Sequence, residues 1–115
     1  LVGTKAEIIE SATNRGLANS MMSGVTNLCN KYQRVIVVED DLVVAPQFLR
    51  FLNAGLEKYQ NETSVMQVSG HMFSVPEFAH RNKAVFLPFT TSWGWATWKR
   101  AWDYFDAEAS GWEVL

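Results

Sequence analysis

Residues 34–46 read RVIVVEDDLVVAP, and the fold is decided there. Val35, Ile36, Val37 and Val38 are a continuous β-branched run bounded by polar residues. Side chains branched at Cβ suit a pleated strand, and an unbroken apolar run marks a central strand covered on both faces. Glu39, Asp40 and Asp41 follow at once, then Leu42 to Ala45, then Pro46 where a first helical turn tolerates it. Phe48, Leu52, Leu56 and Tyr59 recur at helical spacing and predict a helix running to about Gln60.

Upstream, Leu17, Met21, Val25, Leu28 and Tyr32 step by three to four residues, behind the turn-prone Asn14, Arg15 and Gly16. They predict a helix with one buried stripe. Downstream, Asn61 to Thr63 read as a turn, Val65 to Val68 as a second strand, and Ser69, Gly70 and His71 as its end. Ala84 to Leu87 suit a short third strand. Trp95, Trp98, Trp102 and Phe105 share one face of a predicted final helix. The alternation argues for an α/β layer with at least one parallel pair, in which ligands gather at the carboxyl ends of strands. With no repeat, low-complexity tract or linker, residues 1–115 are expected to be a single domain.

A formal net charge of -2 leaves no basic stripe, which argues against binding a nucleic-acid backbone. No run approaches the roughly 18 apolar residues that a bilayer requires, and LVGTKAEIIE lacks the regions of a signal peptide. A soluble, cytoplasmic protein without a transmembrane segment is expected. Cys29 has no second thiol to pair with and is expected to be a buried, inert residue.

Three consecutive carboxylates at a strand end repel one another, and no Lys or Arg is adjacent to relieve them. A hard dication, Mn2+ or Mg2+, held through one or two of these oxygens with waters and substrate phosphates completing its shell, fits the ligand type. If the strand continues, Glu39 and Asp41 leave on one side and Asp40 on the other. Acid pairs after strands also occur in receiver domains and Mg-dependent phosphatases, and a triplet can simply be a solvated strand end.

The stretch VIVVEDDLVVAPQFLRFL (35–52) resembles the metal-site segment of GT-A glycosyltransferases, in particular N-acetylglucosaminyltransferase I and bacterial family-2-like sugar transferases. NRGLANSMMSGV (14–25) is similar to the Asn-x-Gly-Leu segment that precedes that strand, and LPFTTSWGWATWKRAW (87–102) to the Trp-Gly-Trp segment on the donor-sugar and acceptor side. The three pieces match in order and spacing over most of the chain. The resemblance implies a partial GT-A fold, the Rossmann-like three-layer sandwich of nucleotide-diphospho-sugar transferases. It also implies a hexosyltransferase moving sugar from a UDP-, GDP- or dTDP-sugar to a saccharide or other hydroxyl acceptor, with inversion.

Carried over position by position, Asp41 is the implied metal ligand. Asp40 and Glu39 contact the ribose, the sugar, or the metal through water, and Asn14 and Gly16 shape the loop near the nucleotide. Indole faces stack well on sugar rings, and Gly94 lets backbone approach a ligand closely, so Trp93, Gly94 and Trp95 are donor-sugar or acceptor candidates, with His71 on the acceptor side. A general base must lie within hydrogen-bond reach of the acceptor hydroxyl. Asp103 and Asp106 lead the candidates, before Glu108, Glu113 and His71, yet the family's own base would fall at or beyond Leu115. The family's domain is longer and begins with a strand, helix and strand, so the chain is expected to be a fragment, inactive on its own. Its uncovered strand edge favours self-association. The alternative is a non-catalytic carbohydrate-binding or partner-binding domain with a GT-A-like fold.

Overall fold

A computed structural model of the chain describes residues 6–78, 83–111 and 113. Leu115, toward which the family's base was expected, lies outside them. Among the described residues, three helices and three strands follow in the order α1 (Leu17–Tyr32), β1 (Arg34–Val37), α2 (Phe48–Lys58), β2 (Val68–Ser69), β3 (Trp95–Trp98) and α3 (Lys99–Trp102), with a 3-10 turn at Pro76–Phe78.

Helix α1 stops at Gln33, whose left-handed φ of 66° turns its N–H back onto the Cys29 carbonyl at 2.8 Å. That single residue reverses the chain into β1. Helix α2 follows the turn at Pro46, with Phe48, Leu52 and Leu56 on its buried face, close to the extent expected.

The sheet order is β1-β3-β2, and both neighbouring pairs are antiparallel. β1 and β2 therefore point the same way, but β3 lies between them. The expected parallel pair is present in direction and absent in contact among the described residues. The difference arises at Trp95–Trp98, where a helical stripe was expected and a strand is found. Thr97 is β-branched, its Oγ1 donates to the Met66 carbonyl at 2.8 Å, and the segment finds backbone partners on both sides. Tertiary pairing overrides the three-to-four residue spacing of the tryptophans. Only Lys99–Trp102 is helical. The second strand is shorter and later than expected, with Val65 in a loop, and Ala84 to Leu87 form no strand.

Alternation along the sheet separates two apolar clusters. Phe48, Leu52, Leu56, Val65, Ala96 and Trp98 fill the α2 side, with Ile36 and Val68 packed on them. Val25, Cys29, Val35 and Val37 fill the α1 side, with Met21, Trp95 and Trp102 against them. Helices thus cover both faces, which explains why 35–37 is apolar without interruption. Trp98 is buried, donates its indole N–H to the Leu56 carbonyl at 3.0 Å and carries the Arg100 guanidinium 4.3 Å above its ring. No helix among the described residues is long and apolar enough to cross a membrane.

Candidate metal and sugar site

The registers place the site. Val37 at the end of β1 and Ser69 at the end of β2 both pair with Trp95, the first residue of β3. The acidic segment, Gly70–His71 and Trp93–Gly94 therefore leave the sheet at one edge, although 24 residues separate Gly70 from Gly94. The Gly70 N–H donates to the Gly94 carbonyl at 2.8 Å and ties two of these segments together. Phe48, at the start of α2, lies against both glycines. A Cβ on Gly94 would come within 2.6 Å of its ring, and one on Gly70 would overlap it.

β1 ends at Val37, so strand alternation no longer governs the acids. A turn runs from Glu39 to Leu42, closed by a long Leu42 N–H to Glu39 carbonyl contact of 3.4 Å, with Asp40 and Asp41 at its exposed centre. Glu39 is half-buried. Among the described residues none of the three carboxylates has an ion-pair or hydrogen-bond partner; the ion pair present is Lys99–Asp103.

No group of three or more His, Cys, Asp or Glu among the described residues is arranged to hold a metal ion. The donor set therefore does not fit an all-protein cage. It does fit a hard cation held by one or two carboxylates, because such an ion keeps several waters and takes the rest of its shell from phosphates. Asp40 and Asp41 sit in adjacent exposed positions and no described Lys or Arg pairs with them, so their oxygens are open to such an ion.

Beside this turn lies a cleft of about 410 Å³, walled by Leu42 to Ala45, Phe48, Phe51, His71 and Trp93. His71 is the titratable side chain in the wall. Its ring meets those of Phe73 and Trp93 edge-on, at centroid distances of 5.3 and 4.9 Å, and its Nε2 is buried without a partner. The Ser69 hydroxyl fixes the backbone there, donating to the His71 carbonyl at 2.8 Å and accepting from the His71 N–H at 3.2 Å; Ser69 and Thr91 also share a hydroxyl-to-hydroxyl hydrogen bond.

The remaining expected residues are elsewhere or engaged. Trp95 belongs to the α1-side cluster, half-buried and 6.1 Å from the Trp102 ring. Asp103 follows β3 at the end where β1 begins, opposite the acidic turn, and both its oxygens accept from Lys99 Nζ, at 2.6 and 2.8 Å. Asp106 accepts the backbone N–H groups of Glu108 and Ser110 at 2.9 and 2.8 Å, and chiefly the Ser110 bonds hold its carboxyl below the usual range. Glu108 and Glu113 are exposed. Asn14 accepts from the Gly16 N–H at 2.9 Å, and Gly16 caps α1 at φ 75°. Since Gln33 joins the far end of α1 to the start of β1, that cap lies toward the edge carrying the acids.

Sequence reading overlooked Phe73 and the buttress Phe48. An isolated Phe carries no signal of which rings it meets across the fold, and Phe48 reads only as the first apolar position of a helix. Compared with known proteins, the chain matches no family model, no curated protein and no solved structure.

Proposed function

We propose that this chain forms the metal and acceptor side of a GT-A-like glycosyltransferase, a hexosyltransferase that moves sugar from a nucleotide-sugar to an acceptor hydroxyl with inversion. One observation carries the reading: the acidic turn, the Gly70–His71 corner and the Trp93–Gly94 corner leave the sheet at a single edge around a cleft. Ligands of open α/β sheets gather at such an edge.

In this reading Asp41 is the principal ligand of Mn2+ or Mg2+, supported by Asp40 and Glu39. The bound cation supplies Lewis-acid assistance, neutralising charge on the departing nucleoside diphosphate. The chain's own contribution is placement. The turn at Glu39–Leu42 presents two carboxylates that no described Lys or Arg pairs with, and the apolar loop Leu42 to Ala45 and Trp93 line the cleft beside it.

A second reading, a carbohydrate-binding domain without turnover, is favoured by the state of the leading base candidates: Asp103 is held by Lys99, and Asp106 by two backbone amides. Titrating Mn2+ into the protein, with and without UDP-, GDP- and dTDP-sugars, tests the metal assignment. Weak Mn2+ binding alone and metal-dependent binding of one nucleotide-sugar are expected. Asp41→Ala is expected to weaken Mn2+ binding by about tenfold or more. Equal binding by wild type and variant removes Asp41 from the site.

A further inference from the structure

β1 is an outer strand of the sheet, and among the described residues its far edge is unpaired. The Lys99 N–H donates to the Gln33 carbonyl at 2.8 Å, in the register that sets Arg34 against Trp98. Antiparallel ladders alternate between pairs that exchange hydrogen bonds and pairs that do not, so Val35 and Val37 turn their N–H and C=O groups toward β3. Arg34 and Ile36 turn theirs to the open edge, where no described residue bonds them. Proteins usually blunt such an edge with Pro, Lys or a bulge, yet residues 35–38 are Val, Ile, Val and Val. The helix over this edge is also incompletely covered. Thr26 on α1 faces α3, where it accepts the Trp102 indole N–H at 2.9 Å. By helical spacing Leu17, Leu28 and Tyr32 lie on the opposite flank, toward the open edge of β1, at 78, 42 and 58% exposure. Of the apolar stripe along α1, only Val25 and Cys29 are buried. An apolar strand edge beside an exposed apolar helix flank marks an interaction surface.

We infer that a second copy of this chain occupies the edge, its β1 pairing antiparallel with β1 about a twofold axis at Ile36. The two three-stranded sheets then join into one. Ile36 of each copy faces Ile36 of the other, and Arg34 faces Val38, so the outward N–H and C=O groups find partners. Charge favours this occupant. Among the described residues neither Arg34 nor the carboxylates of Glu39, Asp40 and Asp41 have an ion pair. The pairing sets Arg34 of each copy beside the start of the other's acidic turn. A twofold axis normal to the sheet also keeps both α1 helices on one face, where their apolar flanks meet. With a formal net charge of only -2 per chain, long-range repulsion between copies is small. The interface does not rest on the transferase reading.

Sedimentation velocity from about 20 to 500 µM, a range suited to weak pairing, tests the proposal together with amide exchange by NMR at both ends. The wild type is expected to pass reversibly from monomer toward dimer. The Ile36 amide is expected to exchange about threefold or more slower at the upper concentration, while those of Val35 and Val37, bonded to β3, exchange alike at both. Arg34→Glu sets a carboxylate against the other copy's acidic turn, and Val38→Lys sets an ammonium against Arg34. Each is expected to weaken the dimer by about fivefold or more, and the double variant, which opposes unlike charges again, to return within about twofold of wild type. Both positions are exposed, so the variants are expected to keep the wild-type melting temperature. Phe89→Lys, in the cleft beside β2, is the control and is expected to dimerise within about twofold of wild type. A monomer at every concentration overturns the proposal, as does an Ile36 amide protected equally throughout, which would mean that the chain's own segment covers the edge. A dimer broken by Phe89→Lys and unaffected by either β1 variant, or a double variant no better than the singles, overturns it too.

Discussion

Replacing Gly94 with Ala attacks the corner where β2 and β3 meet, and its cost follows from two separable effects. Gly94 sits at φ 68°, and an ideal Cβ there lies 2.6 Å from Cζ and 2.8 Å from Cε2 of Phe48. Left-handed backbone costs a residue with a Cβ about 1–2 kcal/mol. Phe48 is buried against Leu52 and Leu56 and cannot swing away freely. Forcing a methyl group into such a contact costs about 1–3 kcal/mol. The sum, about 2–5 kcal/mol, is a large share of the roughly 5–15 kcal/mol that holds a domain folded. With a shift of about 4–8 °C per kcal/mol for a domain of this size, the melting temperature is expected to fall by at least about 8 °C. Thermal unfolding followed by circular dichroism measures it. Phe48→Leu removes the clashing ring atoms, so the double variant is expected to be more stable than the sum of the single losses by about 1 kcal/mol or more. A fall of less than about 3 °C for Gly94→Ala, or strictly additive losses in the cycle, refutes the role given to Phe48 as the buttress of the site.

Trp98→Phe keeps an aromatic ring between α2 and β3 but strands the Leu56 carbonyl that the indole N–H serves; a loss of about 1–3 kcal/mol in urea unfolding is expected. Asp106 has a carboxyl depressed below 3.8, chiefly by its Ser110 bonds. Its stabilising effect is therefore fully present above pH 3.8 and lost as pH falls through the lower folded value; amide exchange at Ser110 is expected to accelerate there, and Asp106→Asn to abolish the pH step. Cys29 is pushed above its usual 9.0, first by burial and then by the Asp103 charge. As pH rises through 9.0 the unfolded chain gives up the thiol proton before the folded one, so stability falls in that window. At neutral pH labelling by a thiol reagent is expected to be fast only in denaturant, and rapid labelling of the native protein would contradict the burial.

Much of the frame is legible from the chain order alone. The β-branched run at 35–38 and the stripes of α1 and α2 announce themselves because their partners are local in pattern: a period of 3.6 or an unbroken apolar run states which face is buried. The acids were legible as a charge conflict without an adjacent cation, and among the described residues no ion pair relieves them. Trp95, Trp98, Trp102 and Phe105 were misread because their spacing satisfies a helical face, while the actual partners of 95–98 lie about 30 and 60 residues upstream, a separation no local pattern reports. The base candidates' engagements are local, within four residues, and were missed for a different reason: spacing alone does not say which side-chain conformers and turns the folded chain adopts. Asp103 as a residue looks like a free carboxylate, and only the folded α3 brings Lys99 onto it.

The sequence by itself determined the α/β class, the strand that leads into Glu39, Asp40 and Asp41, and the helices that cover it, since these follow from propensity and burial pattern within short windows. Tertiary structure alone decided that β3 inserts antiparallel between β1 and β2, and hence that Trp95 turns into the α1-side core while His71, Phe73 and Trp93 meet beside the acidic turn. The physical reason is register. Side chains alternate along a strand, so a cross-strand pairing fixes which residues share an edge and a face, and that pairing is chosen by backbone groups far apart in the chain.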